Sequence, residues 1–164
     1  MTLMDLQDSL CARLEHVFRN VRLMAKGGEY VPVRINKQII PFIDYADQED
    51  GLERRAPCCS VFIADVRTNL YERGEPAYPS DEVTAFLCFV TYDNGKDGQG
   101  HRDMMMLYEL VKQHFRANPV LSPEFYCRRE MSFSLDAREE APIFSSAMGL
   151  EFDMRVEEAE SKYI

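Results

Sequence analysis

The sequence predicts an α+β domain in which a single mixed or antiparallel sheet of about five strands carries two helices on one face. Two amphipathic helical stretches and several short alternating segments follow one another in the order α-β-β-β-α-β-β. A strand–loop–helix unit between Val83 and Phe115 organises the rest, because its strand is apolar on both faces. Such a strand belongs near the middle of a sheet.

Length and composition fit one domain, residues 1–164, which is long enough to bury roughly 70% of its unfolded surface. The net charge of −9 and the absence of a basic run argue against specific binding of nucleic acid or of an anionic membrane. The five cysteines lack zinc or C-x-x-C spacing and are expected to be buried free thiols. We therefore expect no cofactor and no metal site.

The chain opens with a predicted helix over Leu3–Ala25, capped by Thr2 and ended by Gly27 and Gly28. Its apolar residues recur at 3- and 4-residue spacing: Leu3, Leu6, Leu10, Leu14, Val17, Val21 and Met24. One interpretation lays this helix on the sheet. The other shares its face with another subunit, because the apolar set also includes Cys11 and Phe18.

The next part alternates strands and loops. Glu29–Ile35 is a predicted strand, and Pro32 within it indicates a sheet edge because proline lacks a ladder donor. The charged segment Asp44–Pro57 is expected to be an exposed loop. Cys58–Val66 is a second interior strand, and Arg67–Asp81 is another loop.

The central unit continues with the polar loop Asp93–Gly100, which holds three glycines. A helix is predicted from about His101 to Asn118, with Asp103 in its first turn, where a carboxylate suits the helix dipole. Its apolar stripe consists of Met104, Leu107, Tyr108, Val111 and Phe115.

Two alternating strands with one dry and one wet face are predicted over Phe125–Leu135 and Met148–Val156. Asp136–Ser145 would join them as a wide hairpin, and the acidic tail Glu157–Ile164 is expected to be flexible.

Catalytic and metal-binding patterns fit poorly. His101-Arg102-Asp103 spells the start of a kinase catalytic loop, but Tyr108 stands where an asparagine is needed. Asp93–Gly98 is similar to half of a calcium-binding EF loop, yet position 3 is a glycine and position 12 is Met104. A turn is favoured, although weak divalent-ion binding between subunits through these carboxylates stays open.

A metal-dependent hydrolase built on Asp93, Asp97 and His101 is the remaining enzymatic alternative. No other pattern in the sequence indicates an enzyme, so we expect the chain to have no enzymatic activity.

Three stretches of the central unit form a recognisable series. The strand ends in VTYD (Val90–Asp93), the loop and helix start read DGQGHRD (Asp97–Asp103), and the helix continues as LYELV (Leu107–Val111). This series resembles the tail-terminator, or tail-completion, proteins of long-tailed bacteriophages and prophages. The resemblance covers roughly residues 30–156 and departs from the family in the loop Asp44–Arg55 and in the opening helix.

The resemblance implies a tail-terminator-like structural virion protein. Such proteins form a ring, usually a hexamer, at the head-proximal end of the tail tube, where they stop tube polymerisation and join the tail to the head connector. The implied partners are other copies of the chain, the tail tube protein, a head-completion or connector protein, and the sheath if the tail is contractile. Assembly would take place in the bacterial cytoplasm. The alternatives are a neighbouring neck component and an acidic inhibitor that binds a host protein.

The composition suits such a ring. Six copies would carry a charge of −54 (6 × −9), and an acidic channel would let DNA pass without specific binding. A ring needs two different faces that meet, and the helix face and the charged loops are candidates. The candidate interface residues are Asp93, Asn94, Lys96, Asp97, Gln99, His101, Arg102, Asp103, Leu10, Val17, Glu53, Arg54 and Arg55.

Overall fold

The computed structural model of the chain describes residues 2–38, 54–68, 80–95, 98–135 and 142–155. These residues form two helices and eight strands. The helices are α1 (Leu3–Val17) and α2 (Gly100–Ala117). The strands are β1 (Arg22–Met24), β2 (Tyr30–Pro32), β3 (Arg34–Lys37), β4 (Cys58–Thr68), β5 (Ser80–Tyr92), β6 (Val120–Ser122), β7 (Phe125–Leu135) and β8 (Ile143–Arg155).

Six strands form a mixed sheet in the order β3-β4-β5-β8-β7-β6, and β1 pairs with β2 in a separate small sheet. Only β3 and β4 run parallel; every other neighbouring pair is antiparallel. The predicted α+β class with a mixed sheet is confirmed, with six strands in the main sheet in place of about five. The expected central position of β5 is also confirmed, because β5 lies between β4 and β8 and pairs with β8 along its whole length.

Both helices pack against one face of the sheet and share a single core. They contact each other, and their fully buried side chains lie in the same cluster as the strand residues. The largest buried side chains include Phe89, Phe115, Phe125 and Phe152. The opposite face of β5 is only partly covered by described residues, since Phe86 on that face is 38% exposed.

Helix α1 is shorter than the sequence indicates. It ends at Val17, a turn follows, and the predicted last helical residues instead form strand β1. Val21 and Met24 continue the helical spacing by coincidence, because Val21 lies before β1 and Met24 pairs with Tyr30 of β2. The two glycines lie at the tip of this hairpin, where Gly28 has a φ of 84°.

The predicted strand Glu29–Ile35 divides in two. Its first part becomes β2 in the small sheet, and its second part becomes β3 at the end of the main sheet. The chain passes from the small sheet to the main sheet at Val33, a buried residue that separates β2 from β3 in the sequence. The predicted edge position is correct for β3, which ends the main sheet among the described residues, whereas Pro32 itself lies in β2 of the small sheet.

The remaining differences lie at element ends. β4 extends to Thr68, β5 begins at Ser80, and β8 begins at Ile143 inside the predicted hairpin connection. Strand β6 was not predicted, because three residues are too few for a visible alternation. Of the predicted exposed loop Asp44–Pro57, residues 44–53 lie outside the described residues, and the expected exposure is wrong at its end, because Ala56 and Pro57 are buried just before β4. Most of the connection between β7 and β8 and the tail Glu157–Ile164 also lie outside the described residues. No helix among the described residues combines the length and apolarity needed to span a bilayer.

Candidate functional site

The aspartate that follows β5 holds the start of α2. Asp93 is 3% exposed. One of its oxygens, Oδ2, accepts hydrogen bonds from the backbone N–H groups of Gln99 at 2.7 Å and Gly100 at 3.2 Å. The other, Oδ1, accepts from the N–H of Gly95 at 3.2 Å. Because the Gln99 side chain makes no capping bond, Asp93 takes its place from across the loop and pairs two of the amides at the start of the helix.

A second set of contacts stabilises the same connection between β5 and α2, which we call the joint. The buried hydroxyl of Thr91 donates to the carbonyl of Gly100 at 2.9 Å. A Cβ at position 100 would lie 2.1 Å from Cδ2 of Phe144, so this position has no room for a side chain. The loop glycines Gly95 and Gly98 take φ angles of 85° and 61°, which favour glycine. The glycines and Asp93 of this loop therefore serve to connect strand β5 to helix α2.

The first turn of α2 brings two more predicted residues to the joint. The ring of His101 meets the ring of Phe144 edge-on, with centroids 4.7 Å apart. Burial raises the pKa of Asp103, the nearby charge of Asp93 adds to that rise, and a hydrogen bond with Gln99 opposes it. Asn94 and Arg102 are exposed, and Lys96 and Asp97 lie outside the described residues.

The metal-ion alternative finds little support at this joint. Both carboxylate oxygens of Asp93 already accept backbone hydrogen bonds, which leaves them poorly placed as ligands. In the ranges that the structure describes, no group of three or more His, Cys, Asp or Glu residues is arranged to hold a metal ion. Asp97, the third member of that hypothesis, is not among those residues.

The other predicted interface residues are scattered. Leu10 is fully buried in the core under α1 and offers no surface to a second copy, so helix-on-sheet packing accounts for it. Val17 is partly buried against the same core. Arg54 is exposed and Arg55 half-buried, whereas Glu53 lies outside the described residues.

Two surface clefts with exposed apolar side chains were not predicted. The first, named the hairpin cleft, has a volume of about 480 Å³. It is lined by Arg22, Leu23, Met24, Tyr30, Tyr92, Asp93, Gln99, Asp103 and Met106. Tyr30 and Met106 remain 65% and 39% exposed.

The second, named the edge cleft, has a volume of about 430 Å³. It is lined by Ser80, Val120, Ser122, Pro123, Glu124, Phe125, Tyr126, Asp153 and Arg155. Val120 and Tyr126 are 54% and 45% exposed.

These clefts lie at opposite ends of β5. Tyr92, the last residue of the strand, lines the hairpin cleft, and Ser80, the first, lines the edge cleft. A strand of this length spans about 40 Å. The chain thus presents two separate concavities with exposed apolar side chains, one at each end of the central strand. Alternation alone could place Tyr126 on the wet face of β7, but it could not show which other elements meet there.

Comparison with models of known protein families gives no match to this chain, and a search among curated proteins finds no relative.

Proposed function

We propose that this chain is a tail-terminator-like structural protein that forms a ring at the head-proximal end of a phage tail tube. There it stops tube growth and offers a surface to the head connector. The sequence resemblance at the joint between β5 and α2 leads to this proposal, and the two clefts at the ends of β5 are the structural observation that supports it. The residues that carry the family resemblance, Asp93 and Gly100 above all, are engaged in backbone capping and close packing.

The two clefts at opposite ends of β5 support ring formation. A closed ring uses a heterologous interface, in which one patch of a subunit meets a different patch of the next. The exposed apolar side chains at the two ends of β5 supply two such patches, Tyr30 with Met106 and Val120 with Tyr126. Apolar side chains clustered at a concave surface are a usual mark of a protein contact.

The charge supports a role around DNA without specific binding. A hexamer would carry −54 (6 × −9), and a surface of that sign repels phosphates. A channel that the genome must cross is best served by such repulsion, because attraction to the phosphate backbone would retard the DNA.

The first test is assembly of the tube protein from the same phage or prophage with and without this chain. We expect tubes of limited length in its presence and uncontrolled length in its absence, as measured by electron microscopy. Tubes of uncontrolled length in both mixtures would refute the terminator role. Binding to the connector without any effect on tube length would instead favour the neighbouring neck role.

The second test addresses the clefts. Val120→Arg and Tyr30→Arg each place a charge in one apolar patch, and both should abolish ring formation in light-scattering measurements on the assembled particle. Met4→Arg is the matched control, because Met4 is 70% exposed on α1 and lines neither cleft. An intact ring in both cleft variants would place the contacts elsewhere.

A further inference from the structure

Strand β3 ends the main sheet within the described residues. The backbone N–H of Arg34 donates to the carbonyl of Pro57 at 3.1 Å, and that of Gln38 donates to the carbonyl of Val61 at 2.9 Å. In a parallel pair, alternate residues of a strand bond to the neighbour. The backbone groups of Ile35 and Lys37 therefore point away from β4. We call this row the β3 edge.

A groove of about 570 Å³ runs along the β3 edge. It is lined from both sides of the sheet: Arg34 lies in register with Cys58, and Ile35 with Cys59, so their side chains point to opposite faces. Phe18 and Val33 give the groove an apolar floor, since both are buried. The groove thus follows the strand edge, where the outward backbone groups of Ile35 and Lys37 have no strand partner among the described residues.

The groove is positively charged in an acidic protein. Arg19, Arg22 and Arg34 line it together with a single acid, Glu15. Arg55 belongs to the same region, because both Arg55 and Arg34 act on the buried Cys58 thiol.

Burial raises the pKa of that thiol to about 11, and the two guanidinium charges oppose the rise. In the part of the chain that the structure describes, no ion pair joins Arg19, Arg34 or Arg55 to a carboxylate. These charges are therefore available to a ligand.

We propose that the β3 edge binds an extended, acidic segment of a partner protein, which adds to the sheet as a further strand. The partner backbone would pair with Ile35 and Lys37, as in other cases of strand addition. Because side chains alternate along a strand, acidic residues would face Arg34 while apolar residues between them would face Ile35 and Val33. The arginines would also disfavour pairing with a basic strand.

A second copy of this chain does not offer a suitable strand among its described residues. Pairing of two β3 edges would bring together two grooves that are each lined by Arg19, Arg22 and Arg34, a repulsive arrangement. The other end of the sheet is β6, and there the carbonyls of Val120 and Leu121 already accept hydrogen bonds from Arg13, at 3.4 and 3.1 Å. The occupant is therefore a different protein, and this inference stands apart from the ring proposal.

The experiment uses the full chain and a blocked, fluorescent hexapeptide of alternating valine and glutamate. Anisotropy should show binding that weakens as salt is raised. Arg34→Glu should lower the affinity at least about tenfold, because it reverses a charge in the groove. Arg116→Glu is the matched control, since Arg116 is exposed in the last turn of α2, and its effect should stay within about twofold.

Three further measurements separate strand addition from other modes of binding. The peptide should shift the amide resonances of Ile35 and Lys37, and replacing its central valine with proline should abolish binding, because proline lacks a ladder donor. Equal binding of the proline peptide, or of a single-stranded oligonucleotide, would show a general attraction to anions and overturn the proposal. So would no binding to the wild-type chain, or self-association that Arg34→Glu abolishes.

Discussion

Replacing Gly100 with alanine tests whether close packing explains the glycine in the central loop. The new Cβ would lie 2.1 Å from Cδ2 and 2.5 Å from Cε2 of Phe144. Carbon atoms in good contact are about 3.5–4.0 Å apart, so the ring or the helix start must move by about 1.5 Å. Phe144 is only 7% exposed and meets His101 edge-on, which leaves the ring little freedom to move.

The expected loss of stability follows from two opposing effects. Overpacking costs about 1–3 kcal/mol, and exchange of glycine for alanine in a helix returns about 0.5–1 kcal/mol. We expect Gly100→Ala to lower the free energy of unfolding by about 1–2 kcal/mol, or the melting temperature by about 2–8 °C for a domain of this size. Denaturant unfolding followed by circular dichroism measures it. Gly27→Ala is the control, because its new Cβ would meet only the movable end of the Glu29 side chain.

A double-mutant cycle tests the reason directly. Phe144→Ala removes the ring and is itself destabilising by about 3–5 kcal/mol, because it leaves a cavity. In that background Gly100→Ala should no longer destabilise, so the coupling energy between the two positions should reach about 1–2 kcal/mol. A stable Gly100→Ala protein, or an undiminished loss in the Phe144→Ala background, would refute the packing argument.

Three further predictions concern single side chains. Asp93→Ala should destabilise the fold by about 1–3 kcal/mol and Asp93→Asn by less, because the amide keeps one acceptor for the helix amides; equal losses in urea unfolding would contradict the capping role. His114 has a pKa lowered by burial, by Arg13 and by His16, so its contribution to stability is present above pH 6.5 and lost as the pH falls through its lower folded value. His114→Gln should flatten that part of the stability curve, and an unchanged slope would exclude it. Finally, Cys88 should react first with a thiol reagent in the native protein, because it alone of the five thiols is half-buried; unchanged labelling kinetics in Cys88→Ser would contradict this.

The parts of the fold that the sequence predicted correctly are those with a long periodic pattern. Strand β5, helix α2 and strand β7 each extend over eleven or more residues with a regular apolar repeat. The predicted bounds of β7 match the observed ones, and those of β5 and α2 differ by a few residues. In such elements the apolar residues recur on the side that packs against the core, so the periodicity of the sequence indicates the type of element.

The failures come from interactions between distant parts of the chain. Val21 and Met24 fit a helical stripe, but Val21 precedes strand β1, and only the pairing of β1 with β2 makes Met24 part of a strand. Likewise, no local sequence pattern indicates that β3 pairs in parallel with β4. The same reason hides the basic groove, because Arg19, Arg22 and Arg34 come from three different elements and meet only in the folded chain.

The loop between β5 and α2 has a structural role within the subunit, so the surfaces that contact partners are expected elsewhere. Asp93 and Gly100 are buried and are engaged by backbone amides and by an aromatic ring. Substitutions there should weaken assembly only to the extent that they weaken folding. The clefts at the two ends of β5 and the β3 edge are solvent-facing, so charge changes there should alter association and leave the unfolding free energy within about 0.5 kcal/mol of wild type. The relation between stability and assembly across the two groups of variants therefore distinguishes a loop that shapes the subunit from a loop that itself forms the contact.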